Sequence, residues 1–191
     1  MTKTVGVVLA GGKSTRFGEQ KSLYEFDGRK MYEHVHDRLE ASGLCDEIIV
    51  STNKMLEPHI DGRTIVDDEE YEDHGPLGGL YAVRKAYPED RLLVVSCDTP
   101  FVSAEWLKAL HERAAAEADS IIISAEGDKL HPTIGIYQGA GLERDLEHQL
   151  QSKRLSFKAF FENQDVSVLD IRKTGEDPDI FRNINYKTDI E

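Results

Sequence analysis

The chain has 191 residues, 39% of them hydrophobic and 31% charged, with a formal net charge of −13. These values suit one globular domain, residues 1–191, with room for a real core. No stretch approaches the roughly 18 consecutive apolar residues that cross a bilayer, and the acidic balance argues against nonspecific binding to nucleic acid or an anionic membrane. The opening Met1-Thr2-Lys3-Thr4 runs straight into a strand, with no secretory leader expected. The two cysteines, Cys45 and Cys97, lie far apart without metal-ligand spacing, so reduced thiols in a cytoplasmic protein are expected.

In chain order, the first element is an apolar run, Val5 to Ala10, that ends abruptly in Gly11-Gly12-Lys13-Ser14-Thr15-Arg16. An apolar strand feeding a glycine turn suits phosphate binding, because glycine lets the backbone approach a polyanion and point its N–H groups at phosphate oxygens. Lys13, Arg16 and Lys21 add mobile positive charge. The loop is not a P-loop: the glycine required five residues before Gly12 would fall at Val7, inside the strand. No G-x-G-x-x-G fingerprint is present either. A bland tight turn remains the alternative on these residues alone.

Leu23 to Phe26 reads as a short extended segment that ends at the turn pair Asp27-Gly28. Met31 to Ser42 is helical, with Tyr32, Val35 and Leu39 on one face and Gly43 as its stop. Glu47 to Ser51 is a core strand, Lys54 to Ile60 a short helix, and Arg63 to Val66 a third strand. The acidic run Asp67 to His74 reads as a loop, solvated in its bland reading. A helix begins at Gly75-Pro76, where the missing proline N–H costs nothing. Gly78 and Gly79 in its first turn each cost about 1 kcal/mol against alanine, which points either to close packing on the sheet or to room for a ligand.

Arg91 to Val95 is an unbroken apolar run, as for a parallel strand covered on both faces, and it ends in Ser96-Cys97-Asp98-Thr99-Pro100. Ser103 caps a helix carrying Trp106, Leu107 and Leu110. Ser120 to Ile123 is another buried strand, Gly127-Asp128 a turn, and His131 to Tyr137 a returning segment. Leu142, Leu146 and Leu150 mark an amphipathic helix. Lys153, Arg154 and Lys158 form a basic patch around Leu155, Phe157, Phe160 and Phe161. Val166 to Asp170 alternates like an edge strand, Asp177-Pro178-Asp179 is a loop, and Phe181 to Asn185 leads to a short polar end.

Strands alternating with helices predict an α/β sandwich with a mainly parallel sheet. Ligands of such sheets bind beyond the carboxyl ends of the strands. The unusual segments of the first half all fall there: the glycine loop, Ser51 to Asn53, the acidic loop with Gly75-Pro76, and Cys97-Asp98. Asp98, directly after the most buried strand, is the best candidate to hold Mg²⁺, which needs only one or two carboxylates when phosphates and waters complete its shell. A turn or capping aspartate is the alternative.

The pattern Leu-Ala-Gly-Gly-x-Ser-x-Arg-Phe-Gly-x-x-Lys resembles the nucleotidyltransferase signature. With Gly75-Pro76-Leu77-Gly78-Gly79, Cys97-Asp98-Thr99-Pro100, His131-Pro132-Thr133-Ile134 and Asn183-Ile184-Asn185 following in order, nearly the whole chain resembles the molybdenum cofactor guanylyltransferase (MobA) family. The resemblance implies a three-layer αβα, Rossmann-like fold of the nucleotide-diphospho-sugar transferase type. It implies transfer of GMP from GTP to the phosphate of molybdopterin carrying molybdenum, with release of pyrophosphate. By the same resemblance Leu9, Ala10, Gly11 and Gly12 bind the nucleotide, Lys21 and Arg16 meet its phosphates, Asp68 contacts the nucleotide through base or ribose, and Asp98 ligates Mg²⁺. Related cytidylyltransferases tend to carry alanine where Gly11 stands, which favours guanine. The family's frequent Asn at Ser51 is displaced here to Asn53. His131, Asn183 and Asn185 are the candidates for the pterin substrate, and Lys153, Arg154 and Lys158 for its terminal phosphate, a solvated basic face being the alternative. Molybdopterin-inserting proteins are the partners implied. Rival readings are a nucleotidyltransferase for cytidine or a sugar phosphate, a noncatalytic GTP- or cofactor-binding delivery protein, and, weakly, a P-loop GTPase.

Overall fold

The computed structural model describes residues 2–190. Its strands are β1 Thr4–Leu9, β2 Glu25–Phe26, β3 Arg29–Lys30, β4 Glu47–Thr52, β5 Thr64–Val66, β6 Arg91–Ser96, β7 Ile121–Glu126, β8 Lys129–Tyr137 and β9 Val166–Asp170. Its α-helices are α1 Met31–Ser42, α2 Gly75–Ala86, α3 Ala104–Ala116, α4 Leu142–Gln151 and the single turn α5 Phe157–Phe161. Seven strands form one sheet in the order β5-β4-β1-β6-β8-β7-β9. β2 and β3 make a separate hairpin, whose turn uses positive φ at both Asp27 and Gly28, the backbone that a two-residue hairpin loop requires.

Alternation along the buried strands splits the core in two. Val8, Ala10, Leu93 and Val95 face α1 and α3, where Tyr32, Val35, Leu39, Trp106, Leu107 and Leu110 meet them. Val5, Val7, Leu9, Leu92 and Val94 face α2 and α4, where Leu77, Leu80, Leu142, Leu146 and Leu150 close over them. This is the expected sandwich, helices on both faces of a mostly parallel sheet. Ser103 caps α3 by accepting from the Trp106 N–H at 3.0 Å, and Gly43 ends α1 in the left-handed region at φ 66°.

Two local expectations shift, and the returning segment and the edge strand fall as expected. Residues 21–23 form a 3₁₀ turn ahead of β2, so the extended segment is shorter than its alternation suggested. Only Glu57–His59 of the stretch 54–60 is helical, and that as 3₁₀. β8 runs antiparallel between β6 and β7, while β9 returns parallel to β7 at the sheet edge. Register matters most for function. Leu9 pairs with Ser51 on one side and Ser96 on the other, and Thr52 pairs with Val66. The loops after β1, β4, β5 and β6 therefore leave the sheet at one level.

Candidate active site

A cavity of about 490 Å³ opens at that rim. Its lining comes from all four loops: Leu9 to Ser14 after β1, Ser51 and Asn53 from β4, Asp67 and Asp73 after β5, and Ser96 to Asp98 from β6. Lys21, Ser22, Gly75, Pro76, Gly79, Thr133 and Asn183 complete it.

Backbone bonds knit the rim together. The Ala10 N–H donates to the Ser51 carbonyl at 2.8 Å, the Cys97 N–H to the Leu9 carbonyl at 3.0 Å, and the Asp67 N–H to the Thr52 carbonyl at 3.2 Å. Asn53 Nδ2 donates to the Gly11 carbonyl at 3.2 Å, while its Oδ1 accepts from the N–H groups of Met55 and Leu56. The displaced asparagine thus braces the glycine loop from below. Farther along, the Lys21 N–H donates to Ser14 Oγ at 2.9 Å, closing the loop so that the Lys21 side chain turns back to the cavity. There Lys21 Nζ reaches Asp98 Oδ2 at 3.2 Å, with both side chains at most 20% exposed. The Ile184 N–H donates to the Asp98 carbonyl at 2.8 Å. That bond draws the C-terminal segment alongside and puts Asn183 in the cavity wall.

Gly78 and Gly79 both mark close approaches, only that of Gly79 being to the sheet. A Cβ at Gly78 would lie 3.0 Å from the Tyr71 carbonyl oxygen. One at Gly79 would lie 2.6 Å from Ser51 Oγ and narrow the cavity that Gly79 lines. Cys97 is an inert wall: burial, then the neighbouring Asp98, push its thiol up to about 12.

The structure brings Leu9, Ala10, Gly11, Gly12, Lys21, Asp98 and Asn183 together in this cavity. Asp68 is not there. It caps a 3₁₀ turn by accepting from the Glu70 N–H and pairs with Lys85 at 2.8 Å on the outer side. Asp67 lines the cavity instead. The signal was available: Asp67 is the first residue after β5, and strand ends face the ligand. Arg16 and Asn185 line a smaller neighbouring depression. His131 lines neither. Its ring is buried and packs on Phe181 with centroids 4.6 Å apart, and burial pulls its pKa down. None of Lys153, Arg154 and Lys158 lines the cavity, and Arg154 forms a two-pronged pair with Glu162. Asp73 and Thr133 were missed. Asp73 pairs with Lys13 across the mouth at 3.1 Å. Thr133 arrives because β8 pairs Ile134 with Val95, one step below the rim.

Burial, then Glu72 and Asp73, push the Asp67 carboxyl up to about 6. A carboxyl raised in the folded state keeps its proton to higher pH than in the unfolded chain. Stability therefore falls as pH rises from about 4 to about 6 and stays reduced above. Asp67→Asn is expected to stabilise the protein at pH 7.5 by about 1–2 kcal/mol, allowing for the water that still reaches the group. The gain should vanish near pH 4. Melting curves at the two pH values check this, and an equal effect at both would refute it.

The donors present fit a divalent cation. Asp98 offers a hard carboxylate at the rim, and the buried Ser22 hydroxyl in the same cavity has no hydrogen-bond partner. Three carboxylates against two lysines in the lining would repel a bare triphosphate, which a bound Mg²⁺ offsets.

A glycine loop, a lysine and an aspartate gathered beyond one end of a mostly parallel sheet define a nucleotidyltransferase. The chain belongs to the MobA-like NTP transferase domain family, which matches residues 6–167. Its fold is similar to that of molybdopterin-guanine dinucleotide biosynthesis protein A from Archaeoglobus fulgidus, with TM-score 0.80, 22% identity and coverage of 97% of this chain and 94% of that one. It is also similar to 4-diphosphocytidyl-2C-methyl-D-erythritol synthase from Anaerococcus prevotii, with TM-score 0.71, 18% identity and coverage of 99% and 93%. A third similar structure is Rv0371c from Mycobacterium tuberculosis H37Rv in complex with manganese, with TM-score 0.63, 19% identity and coverage of 89% of each chain. Among the described residues no helix is long and apolar enough to cross a membrane.

Proposed function

We propose that this nucleotidyltransferase transfers GMP from Mg²⁺-bound GTP to the phosphate of molybdopterin carrying molybdenum. The observation that carries the reading is the contact of Lys21 with Asp98 at 3.2 Å inside a cavity walled by the glycine loop. It supports the reading because a cation suited to phosphate, a carboxylate suited to a metal and the glycine-loop backbone share one volume. The likeness to the Archaeoglobus protein supports guanine and the pterin acceptor, and glycine at position 11 favours guanine over cytidine.

In the step itself, an oxygen of the acceptor phosphate attacks the α-phosphorus. The bond from that phosphorus to the α,β-bridging oxygen breaks, and pyrophosphate leaves with the electron pair. The attacking group is already an anion, so no strong base is needed. What the protein must do is hold the reactants in line and offset charge on the oxygens. Gly11 and Gly12 let the backbone approach the phosphates, Lys21 neutralises them, and Asn53 fixes the loop. We assign to Asp67, which lines the cavity where Asp68 does not, the role of accepting the adjacent N1–H and 2-amino donors of guanine. Asp98 would hold Mg²⁺, which when bound would neutralise charge on the triphosphate and orient it.

Incubation with GTP, Mg²⁺ and molybdenum–molybdopterin should yield a pterin product heavier by one GMP on mass analysis. A nucleotide panel in which CTP alone releases pyrophosphate would transfer the assignment to cytidine. Binding of GTP with no pyrophosphate formed would favour a delivery protein. Lys21→Ala is expected to weaken Mg–GTP binding about tenfold while leaving the fold intact, since the pair it breaks lies at the rim and not in the core. Calorimetric titration beside a melting curve checks both halves, and unfolding of the variant would make the lysine structural.

A further inference from the structure

Asp98 stands two residues past the end of β6, where strand register fixes its place. Lys21 lies twelve residues past the end of β1, on a loop outside the seven-stranded sheet. No strand pairing sets the distance between them, so their contact needs another tie. The last described segment, residues 181–190, supplies one, and it lies wholly beyond the family match at residues 6–167.

One end of this segment is fastened to the turn that carries Asp98. Phe181 is buried against Trp106 and His131, with ring centroids 5.1 Å and 4.6 Å apart. The Arg182 guanidinium lies over the Phe101 ring, 4.4 Å from its centroid, and the Ile184 N–H donates to the Asp98 carbonyl at 2.8 Å. Three residues further on, the segment meets the loop that carries Lys21. Lys187 pairs with Glu19, and its ammonium stands over the Tyr24 ring, 5.2 Å from the centroid. Glu19 and Tyr24 flank Lys21, two residues before it and three after it. The Tyr24 N–H donates to the Lys21 carbonyl at 3.1 Å, and Phe17 meets Tyr24 edge-on at 5.0 Å, so that loop is one folded unit. The stretch between the two ends is itself held. Ile184 is buried with Phe17 and Met31, and the N–H groups of Asn185 and Tyr186 both donate to Asp189 Oδ2, at 2.7 Å and 2.8 Å.

We propose that residues 181–190 are a clasp that sets Lys21 against Asp98, with Lys187 as its positioning residue on the Lys21 side. The proposal rests on the nucleotidyl-transfer reading, in which those two side chains hold phosphate and metal in line. Lys187 lines neither the cavity nor the neighbouring depression and acts through Glu19 and Tyr24. An ion pair this exposed adds little to stability. A misplacement of about 1 Å at the reacting groups, by contrast, can lower turnover by as much as roughly 10²-fold. Loss of the clasp should therefore show in turnover and hardly at all in melting.

The test uses the full-length protein. Turnover is followed as pyrophosphate release from GTP, Mg²⁺ and molybdenum–molybdopterin, and Mg–GTP affinity is measured by calorimetry without the acceptor. Lys187→Gln should lower kcat about five- to tenfold. Its Mg–GTP affinity should change less than about twofold and its melting temperature by less than about 2 °C. Lys187→Arg, which keeps both the ion pair and the ring contact, should turn over within about twofold of the wild type. Glu19→Gln should also lower kcat, and the double variant should lose no more than Lys187→Gln alone, because both changes break one contact. Unchanged kcat in Lys187→Gln, losses that multiply in the double variant, or a fall in kcat matched by a fall in melting temperature would overturn the proposal. Should the wild-type protein release no pyrophosphate with any nucleotide, the transferase reading fails by itself. Hydrogen exchange then decides on the clasp: the Lys21 and Tyr24 amides should exchange at least about threefold faster in Lys187→Gln than in the wild type, and equal rates would overturn it.

Discussion

Asp98→Ala is expected to lower pyrophosphate release by roughly 10²–10³-fold, the usual loss when a group that stabilises transition-state charge is removed. Its melting temperature should stay close to that of the wild type. The separation follows from how the residue is held. The carbonyl of Asp98 receives the Ile184 N–H at 2.8 Å, and the turn that follows is closed by Thr99, whose N–H and hydroxyl both donate to the Ser96 carbonyl. None of these bonds uses the carboxylate. Truncation removes only the contact to Lys21 and the proposed metal ligand. Lys21, released from its partner, remains free to meet phosphate, so GTP affinity should survive better than turnover, and the residual activity should depend less steeply on divalent ion. Asp98→Asn, which keeps the shape and loses the charge, should behave like the alanine variant in turnover. Near-normal turnover in either variant would remove Asp98 from the metal site.

The parts of this site that local sequence revealed are those whose role follows from their place on a strand. Leu92 to Val95 had to be a strand covered on both faces, and the first acid after it had to lie at the rim. Gly11 and Gly12 follow β1 in the same way. The acidic loop is harder, because Asp67 and Asp68 are adjacent and alike. The strand end at Val66 was legible and makes Asp67 the first acid past the rim, but the resemblance pointed to Asp68; the pairing of Val66 with Thr52 fixes that end. His131 and Arg154 were hidden for another reason. Their partners, Phe181 and Glu162, lie outside any local pattern, and such contacts exist only after folding. The same holds for β8, whose turn at Gly127-Asp128 was legible while its insertion between β6 and β7 depends on strands formed 30 residues apart in sequence.

Gly135→Ala is expected to destabilise the protein by about 2–3 kcal/mol and to lower its melting temperature by roughly 4–12 °C. Gly135 lies in β8, opposite Val94 of β6 and Ile123 of β7, beside the irregularity in register between Ile123 and Ser124. A Cβ there would sit 2.5 Å from the Ile122 carbonyl oxygen and 3.3 Å from Ile123 Cα. Both are backbone atoms of a buried strand, so no rotamer change can make room, and β8 must move away from β7. Gly79→Ala is the control. Its Cβ falls 2.6 Å from Ser51 Oγ, a hydroxyl that can rotate, and alanine improves the helix by about 1 kcal/mol. That variant should melt near the wild type. The double variant Gly135→Ala/Ile123→Ala should not recover, because it leaves the Ile122 carbonyl in place. Because β8 also carries Thr133 into the cavity wall, Gly135→Ala should lose turnover even well below its melting temperature, whereas a purely local strain would leave turnover intact. A melting temperature within a degree of wild type would show that β7 and β8 are not packed against each other as the register requires.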